Sequence, residues 1–590
     1  MTIIAKASEV TGGEFVCREL VRREVKYLFG ICGGAVLPIF DALNDEKALH
    51  FILAHHEQSA GHMAEGYARV SGKPGVVLVT SGPGTSNIAT PLLDARLDGI
   101  PMVAICGQVA TSVQGTGAFQ WIDSLALARC CTKWCGMPQQ VKELPGCIAT
   151  AFHMATHGRP GPTMVIVPRD VASARFTPSE MDLVGDSSPV PQCPGDMDVS
   201  TPLNEVVRRI QLAEKPVIIA GNGVVCTANG SDLLRKLSKV ASIPVTTTLL
   251  GMGAVDELDP LALGMLGTYG TVPANLAVQN ADLILAVGAR LDQRAVAHAA
   301  GFGPVARETA ARHRRGGIIH FDIDPGNIGK TVEPTIAVIG DLASTLPRLL
   351  LLITTTIAPR LKWLRQIQEW KARYPLAFQP PQELPPRLLP QEVITELDVQ
   401  TQGQKSSTIV TTGVGQHQMW TARHYRWREP LGLISSGGLG TMGYGVPAAI
   451  GVKLARPDVT VIDIDGDASL CMTMDAILTA VQHHVEIKIV VLRNEQQGMV
   501  EELQMAEVRG RVIHTKQRNA DLVKLVESMG GQGRCCSRRE ELEESVRWVL
   551  AAKGIVLLDI VTESSVPMIP KVPANRGLEA IVDSLPAGRK

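Results

Sequence analysis

Residues 459–500 read "VTVIDIDGDASLCMTMDAILTAVQHHVEIKIVVLRNEQQGMV". One apolar run enters Gly466-Asp467, and a second, "IKIVVLRN", ends on Asn494. Continuous apolar strands suit a parallel sheet covered on both faces. If the two are neighbours joined by one crossover helix, "MTMDAILTAVQHH", both side-chain oxygens emerge at the same sheet edge. Open α/β sheets bind ligands at that edge. A hard divalent cation takes oxygen ligands, and Mg2+ commonly uses one or two from protein plus phosphates. The turn backbone at Gly466 and Ala468, beside a helix start, suits a phosphate. Gly-Asp alone is an ordinary capped turn; Asn494 in the matching place turns the reading toward a metal–diphosphate site.

The same pattern runs through the chain. "PGVVLVTSGPGTSN", "IPMVAICGQV", "KPVIIAGNG", "ADLILAVGAR", "GGIIHFDID" and "PLGLISSGG" read as buried strands, with "SDLLRKLSKV" a helix. Two stretches rich in proline read as linkers: "GDSSPVPQCPGDMDVS" (185–200) and "AFQPPQELPPRLLPQ" (377–391). The expected fold is therefore α/β, with three doubly wound parallel-sheet domains at 11–184, 201–356 and 392–570. The first and third blocks echo each other, each with a Gly-Gly segment followed by a strand and a glycine turn.

Composition narrows the function. A formal net charge of −1 gives no electrostatic case for nucleic acid or an anionic membrane. The richest apolar run, "LPRLLLLITTTIAP", is too short to span a bilayer. The twelve cysteines are scattered, with no CxxC ladder, so reduced thiols are expected. "MTIIAKASEVTGGEF" has neither a signal-peptide pattern nor Arg-rich transit character, which predicts a cytoplasmic protein, with a mitochondrial one as the alternative.

Two motifs compete with the metal–diphosphate reading. "GLGTMG" (Gly438, Gly440, Gly443) fits GxGxxG after a strand, with Asp463 downstream, as a dinucleotide site would require. Tyr444-Gly445 and Pro447 interrupt the helix that should receive the pyrophosphate. His56-Glu57 begins like HExxH, but the next histidine is His62, off the i, i+4 spacing a zinc site needs. Glu57 is then either a first-turn acid favoured by the helix dipole or a carboxylate facing a cofactor.

Taken together, "HEQSAGHMAEGYARVSGKPGVVLVTSGPG", "DGIPMV", "GRPGP", "NLAVQNADLILAVGAR", "GGIIHF", "TTGVGQHQMW", "SGGLGTMGYG" and "VIDIDGDAS…N…QGMV" resemble the thiamine-diphosphate (ThDP) enzymes of the fungal acetolactate synthase catalytic-subunit family, from about Thr11 to about Leu585. The resemblance implies a pyrimidine-binding domain, a central FAD domain and a diphosphate domain. It implies that Glu57 hydrogen-bonds the cofactor's aminopyrimidine and so promotes loss of the thiazolium C2 proton. It gives Mg2+ to Asp467, Asn494 and the Gln496 carbonyl. Gln416, His417, Gly466, Ala468 and Met499 join the cofactor-binding set, and Gly440 and Met442 shape the bent cofactor. Phe119 and Gln120, with Met442, would face the reacting carbons. Arg159, Gly221, Gly223, Arg290, Arg294, Asp322 and Asp341 would contact a structural FAD. The implied reaction decarboxylates pyruvate and transfers the two-carbon unit to pyruvate or 2-oxobutyrate, the first common step of branched-chain amino acid synthesis. Implied partners are a second copy of the chain, as homodimer or homotetramer, and a small regulatory subunit.

The chain departs from the family pattern at Cys32, Gly117, Trp121, Arg169, Thr268, Tyr269, Gln293, Leu503 and Glu507. Arg169, Thr268, Gln293, Leu503 and Glu507 match positions lining the channel where the family's herbicidal inhibitors sit. Losing a tryptophan at 503 removes a stacking surface, and Glu507 sets a charge where an aromatic packed. These changes fit an inhibitor-insensitive, self-resistance copy, or drift in a paralogue. Another ThDP carboligase or decarboxylase, a non-catalytic homologue and a nicotinamide oxidoreductase are the alternatives.

Overall fold

The computed structural model describes residues 9–178, 200–381 and 383–583. Residues 185–199 of the first expected linker lie outside them. In the second, Pro390 already opens the helix Pro390–Thr401. Proline suits that first position, and Glu392 accepts the Leu389 N–H at 2.8 Å to close the turn.

Three six-stranded sheets form the molecule, and every neighbour within them is parallel. A two-residue antiparallel pairing, Val10–Thr11 with Arg175–Phe176, closes the first domain. The first sheet runs across as His50–Leu53, Tyr27–Gly30, Gly75–Val79, Met102–Gln108, Pro162–Pro168 and Trp134–Gly136. Numbered along the chain, that order is 2-1-3-4-6-5. The third sheet, Leu433–Ser435, Thr408–Thr412, Thr460–Gly466, Lys488–Arg493, Val556–Val561 and Gln532–Cys536, has the same 2-1-3-4-6-5 order. The echo between the first and third blocks is thus a shared topology. The central sheet differs. Its strands Ala262–Met265, Val245–Thr247, Pro216–Ala220, Leu283–Val287, Gly317–Asp322 and Ile336–Ile339 follow 3-2-1-4-5-6, the order of dinucleotide-binding doubly wound sheets.

Side chains alternate across each central strand, so both faces are buried. Leu283 and Leu285 pack with Leu203, Val206 and Leu234, while Ile284 and Ala286 pack with Ala274, Val278 and Trp363. The first and third domains share one core. There the helix Glu57–Ser71 packs on the helix Gly445–Ala455, and at two glycines the backbones approach closely. A Cβ on Gly66 would sit 2.2 Å from the Ala448 carbonyl oxygen, and one on Gly451 would sit 1.9 Å from that of Met63.

The strands ending at Gly466 and Arg493 are hydrogen-bonded neighbours, with Gly466 opposite Leu492. The connection is not the single helix expected. A short turn of helix, Asp467–Leu470, is followed by Ala476–Gln482. Between them the Thr473 hydroxyl donates to the Gly443 carbonyl at 2.6 Å and pins the chain to the third domain's glycine loop. Among the described residues no helix is long and apolar enough to cross a membrane, and the cysteines are free thiols.

Candidate active site

The third sheet reverses its order between Thr408–Thr412 and Thr460–Gly466, and a cavity of about 60 Å³ opens there. Its walls are the two strand-end turns, Val414–His417 and Gly466–Ser469, together with Asn494, Gln496, Met442 and Met499. Asp467 and Asn494 therefore do meet at one edge. Asp467 Oδ2 accepts the Asn519 side-chain N–H at 2.5 Å, and the Gln496 N–H reaches Asn494 Oδ1 at 3.3 Å. Burial raises the Asp467 carboxyl against these donors; a bound cation would hold it ionised.

Two lining residues carry buried polar atoms with no hydrogen-bond partner among the described residues, Gln416 Oε1 and His417 Nε2. His417 Nε2 lies 3.3 Å from Asp465 Oδ1 without hydrogen-bond geometry. Buried polar groups are normally paired, so orphans facing a cavity point to a polar ligand. A Cβ on Gly466 would come within 2.7 Å of His417 Nδ1, and one on Gly498 within 2.2 Å of Gln416 Oε1. The glycines let the backbone close on these side chains. This donor set, carboxylate and amide oxygens beside turn amides, fits a magnesium–diphosphate group.

Glu57 is held elsewhere. It lies in the first turn of its helix, 9% exposed, and Asn87 donates to its Oε2 at 2.9 Å. The turn Gly82-Pro83-Gly84 brings it near Gln120: a Cβ on Gly84 would be 3.6 Å from Glu57 Oε1, and one on Gly82 would be 2.8 Å from the Gln120 carbonyl. Phe119 beside them is 86% exposed. Glu57, Phe119 and Gln120 line neither this cavity nor the larger one. Glu57, Phe119 and Gln120 thus stand outside the cavity that holds Asp467.

The larger cavity, about 550 Å³, opens at the central sheet's own reversal point, between the ends of Pro216–Ala220 and Leu283–Val287. Gly223, Arg159, Arg290, Arg294, Asp322 and Asp341 all line it, with Gly440 and Met499 at one end. Gly221 does not line it; its Cβ would strike the Gly288 carbonyl at 2.2 Å, so it sets the approach of two turns. The acids also hold turns. Asp341 accepts the Ala343 N–H at 2.8 Å, and Asp322 accepts the Asp324 N–H at 2.8 Å. Burial, then the neighbouring Arg290, lowers the Arg159 guanidinium below its ordinary value. Two cations on one wall suit an anionic group.

The GxGxxG reading falls. The Gly437 and Gly438 amides donate to the Asp98 carboxylate at 3.0 and 2.7 Å. Those of Gly440 and Thr441 donate to Ser436 Oγ at 3.0 and 2.9 Å. The loop's amides are spent on protein, the helix starts only at Gly445, and Asp463 is fully buried against Thr411. His56 caps its own helix through the Gln58 N–H, so it is no zinc ligand.

Several functional neighbours carry no local sequence signal. Asn519 and Asn87 hold the two key acids from 52 and 30 residues away. Glu502 accepts from Gln416 at 3.1 Å and from the Met568 N–H at 3.0 Å, and pairs with Lys571.

Comparison with known proteins gives the class first. Residues 10–127, 203–349 and 413–560 match the N-terminal TPP binding, central and C-terminal TPP binding domains of thiamine pyrophosphate enzymes. "Acetolactate synthase catalytic subunit, mitochondrial" of Aspergillus candidus is 47% identical, over 98% of this chain and 84% of that protein. The Saccharomyces cerevisiae protein of the same name is also 47% identical, over 97% and 84%. "Acetolactate synthase 3, chloroplastic" of Brassica napus is 36% identical, over 97% and 86%. The chain belongs to the acetolactate synthase catalytic-subunit family of thiamine diphosphate enzymes.

Proposed function

We propose that this protein is an acetolactate synthase, joining two 2-oxo acids with loss of CO2, and that pyruvate is its first substrate. The observation that carries the reading is the cavity at the third sheet's reversal point. There Asp467 and Asn494 converge with the orphaned oxygen of Gln416 and nitrogen of His417. Asp467, Asn494 and the Gln496 carbonyl would hold Mg2+. Gln416, His417 and the Gly466 and Ala468 backbone would hold the diphosphate. When bound, thiamine diphosphate supplies the carbon that attacks a 2-oxo acid and the ring that takes up the electrons released by decarboxylation. Glu57, oriented by Asn87, is placed to exchange a proton with the aminopyrimidine ring. Met442 supports the bend of the cofactor, and Phe119 and Gln120 border the reacting carbons.

The separation of Glu57 from the Asp467 cavity within one chain supports a dimeric assembly. Glu57 and the exposed Phe119 of one copy would close over the Asp467 pocket of a second, so a homodimer is the minimum active unit. Homotetramers and a small regulatory subunit build on that unit.

The central cavity would hold FAD, with Arg159, Arg290 and Arg294 near the diphosphate, Asp322 and Asp341 near ribose and adenine, and Gly221 and Gly223 at the close turn. The joining of two pyruvates transfers no net electrons, so the flavin is structural. The fungal relatives are named as mitochondrial; a fluorescent fusion of the full-length gene product decides between mitochondria and cytoplasm.

The deciding experiment is acetolactate formation from pyruvate with ThDP, Mg2+ and FAD, alongside Glu57→Ala. Product that disappears in the variant supports the synthase. ThDP binding without product points to another 2-oxo acid, and no ThDP binding points to a non-catalytic homologue.

A second reading concerns inhibitors. Every residue of the helix Gly498–Glu507 is at least partly exposed, and Leu503 is 43% exposed. An open wall without an aromatic there supports tolerance of channel-blocking inhibitors.

A further inference from the structure

Asp98 ends the helix Ala89–Asp98 of the first domain and is 4% exposed. Its Oδ2 accepts from Arg69 at 2.6 Å and from the Gly437 N–H at 3.0 Å. Oδ1 accepts the Gly438 N–H at 2.7 Å, and the Asp98 carbonyl accepts the Asn222 side chain at 2.9 Å. One residue is bonded to all three domains. Gly438 shows how tight the junction is. A Cβ there would lie 2.7 Å from Asp98 Oδ1, 2.8 Å from Leu97 Cβ and 3.1 Å from Arg290 Nη2.

The same helix end anchors the cations of the large cavity. The Leu97 carbonyl accepts from Arg159 at 2.6 Å and also from Arg290, and the Arg96 carbonyl accepts from Arg159 at 3.0 Å. In the other direction the clamped loop runs on to Gly440, in the large cavity, and Met442, in the small one. A second strut runs beside it: the Ser436 hydroxyl donates to Asp94 Oδ1 at 2.9 Å while accepting from Gly440 and Thr441.

We propose that Asp98 is a positioning residue that couples the two cavities, so that an anionic ligand held by Arg159 and Arg290 tightens the diphosphate pocket through Leu97, Asp98 and the Gly437–Met442 loop. The physical logic is load on a shared anchor. Arg159 and Arg290 repel each other while both pull on Leu97. An anion between them removes that repulsion and fixes the helix end, and the carboxylate of Asp98 fixes the loop. Such coupling is reciprocal in binding free energy. The proposal rests on the reading of the large cavity as the FAD site and the small one as the ThDP site.

The test uses the full chain freed of cofactors. ThDP with Mg2+ is titrated with and without saturating FAD, following quenching of protein fluorescence, since Trp420 lines the small cavity. FAD is titrated by its own fluorescence with and without ThDP. Each ligand is expected to tighten the other by about tenfold, within the usual range of coupling between sites. In Asp98→Asn both ligands still bind, and the coupling falls below about twofold. Equal coupling in parent and variant, or none in the parent, overturns the proposal. If Asp98→Asn does not fold, Ser436→Ala, which removes the second strut and the acceptor of the Gly440 and Thr441 amides, is expected to reduce the coupling to about threefold, and unchanged coupling overturns it. A parent that binds ThDP but not FAD overturns the flavin reading itself and this proposal with it. A parent that binds both without coupling sinks this proposal alone.

Discussion

Asp467 Oδ2 accepts the backbone N–H of Glu495 at 2.8 Å. The bond ties the turn after one strand to the turn after its neighbour. Glu495 is held at a φ of +60°, a left-handed conformation that a glutamate seldom adopts unaided. The carboxylate proposed as a metal ligand therefore also sets the turn that carries Asn494 and Gln496, the other two proposed ligands.

Asp467→Asn should separate the two duties. The amide oxygen can still accept from Glu495, so the fold should survive. Mg2+-dependent binding of ThDP should weaken by more than about tenfold and acetolactate formation fall by at least about 100-fold, because one charged ligand is lost. Fluorescence titration and circular dichroism check the two halves. Undiminished ThDP binding would remove Asp467 from the metal site.

Glu57→Gln should act on rate alone. The amide oxygen can still accept from Asn87, so the helix start is kept. Loss of a group that exchanges a proton should lower kcat by about 100-fold or more, with the apparent ThDP affinity changed by less than about threefold. A variant with near-parental kcat would reassign Glu57 to helix capping.

Removing Glu502 by Glu502→Ala should strip partners from Gln416, the Met568 N–H and Lys571 at once. Gln416 keeps the Val566 carbonyl at 3.3 Å and Lys571 is 31% exposed, so the buried Met568 N–H bears most of the cost, about 1–3 kcal/mol for a buried group left unpaired. Expected are a weaker ThDP complex and faster proteolysis within residues 566–571. Lys571→Met, which removes one partner only, should give a smaller effect. Equal protease sensitivity in parent and Glu502→Ala would argue against Glu502 holding residues 566–571 in place.

Inside the helix Glu57–Ser71, Glu65 and His62 meet at 2.6 Å, both fully buried. Burial drives the Glu65 carboxyl well above its ordinary 4.5 and pushes His62 down to about 4, from 6.5. With both groups pushed toward their neutral forms, the pair would share one proton between Glu65 Oε2 and His62 Nδ1. Between pH 4.5 and 6.5 the unfolded pair also binds one proton, so stability has no slope from it. Above 6.5 the unfolded pair binds none, and stability should fall as pH rises; below 4.5 it binds two, and stability should fall as pH drops toward the value of His62. Asp94, raised from 3.8 to about 8 by burial and then by Glu65, adds a loss of its own as pH rises between those two values. Glu65→Gln keeps an N–H donor without titrating. Its urea midpoint should drop less than the parent's between about pH 6.5 and 8.5. Equal drops would reject the shared proton.

Leu503→Trp should restore an aromatic wall at the channel and raise sensitivity to a sulfonylurea by about tenfold or more, on the scale of a stacked aromatic contact. Inhibition measured in parent and variant settles it. A parent already as sensitive as an ordinary fungal enzyme would end the tolerance reading.

Much of this architecture is visible in the sequence because strands buried on both faces are written as unbroken apolar runs. Polar residues at their ends, such as Asp467, Asn494 and Asp322, then stand out. What fails to show is long-range partnership. Nothing near Asn519 marks it as a donor to Asp467, and nothing in "LLDARLDG" marks Asp98 as a junction. The glycines of "GLGTMG" mislead for a physical reason. Close approach to the Asp98 carboxylate and close approach to a pyrophosphate place the same demand on the backbone, and the sequence does not say which anion is meant. The division of the crossover into two short helices was hidden likewise, because Thr473 bonds to a carbonyl 30 residues earlier.

At the crossing of the helices Glu57–Ser71 and Gly445–Ala455, main chain rests on main chain at Gly66 and Gly451. Such a contact is indifferent to the side chains elsewhere on either helix. The frame of this enzyme thus presents mutation with a very small target at this crossing: Gly66 and Gly451, where any added Cβ would meet a carbonyl oxygen. A lineage can rewrite Arg169, Thr268, Gln293, Leu503 and Glu507 and still inherit the same scaffold.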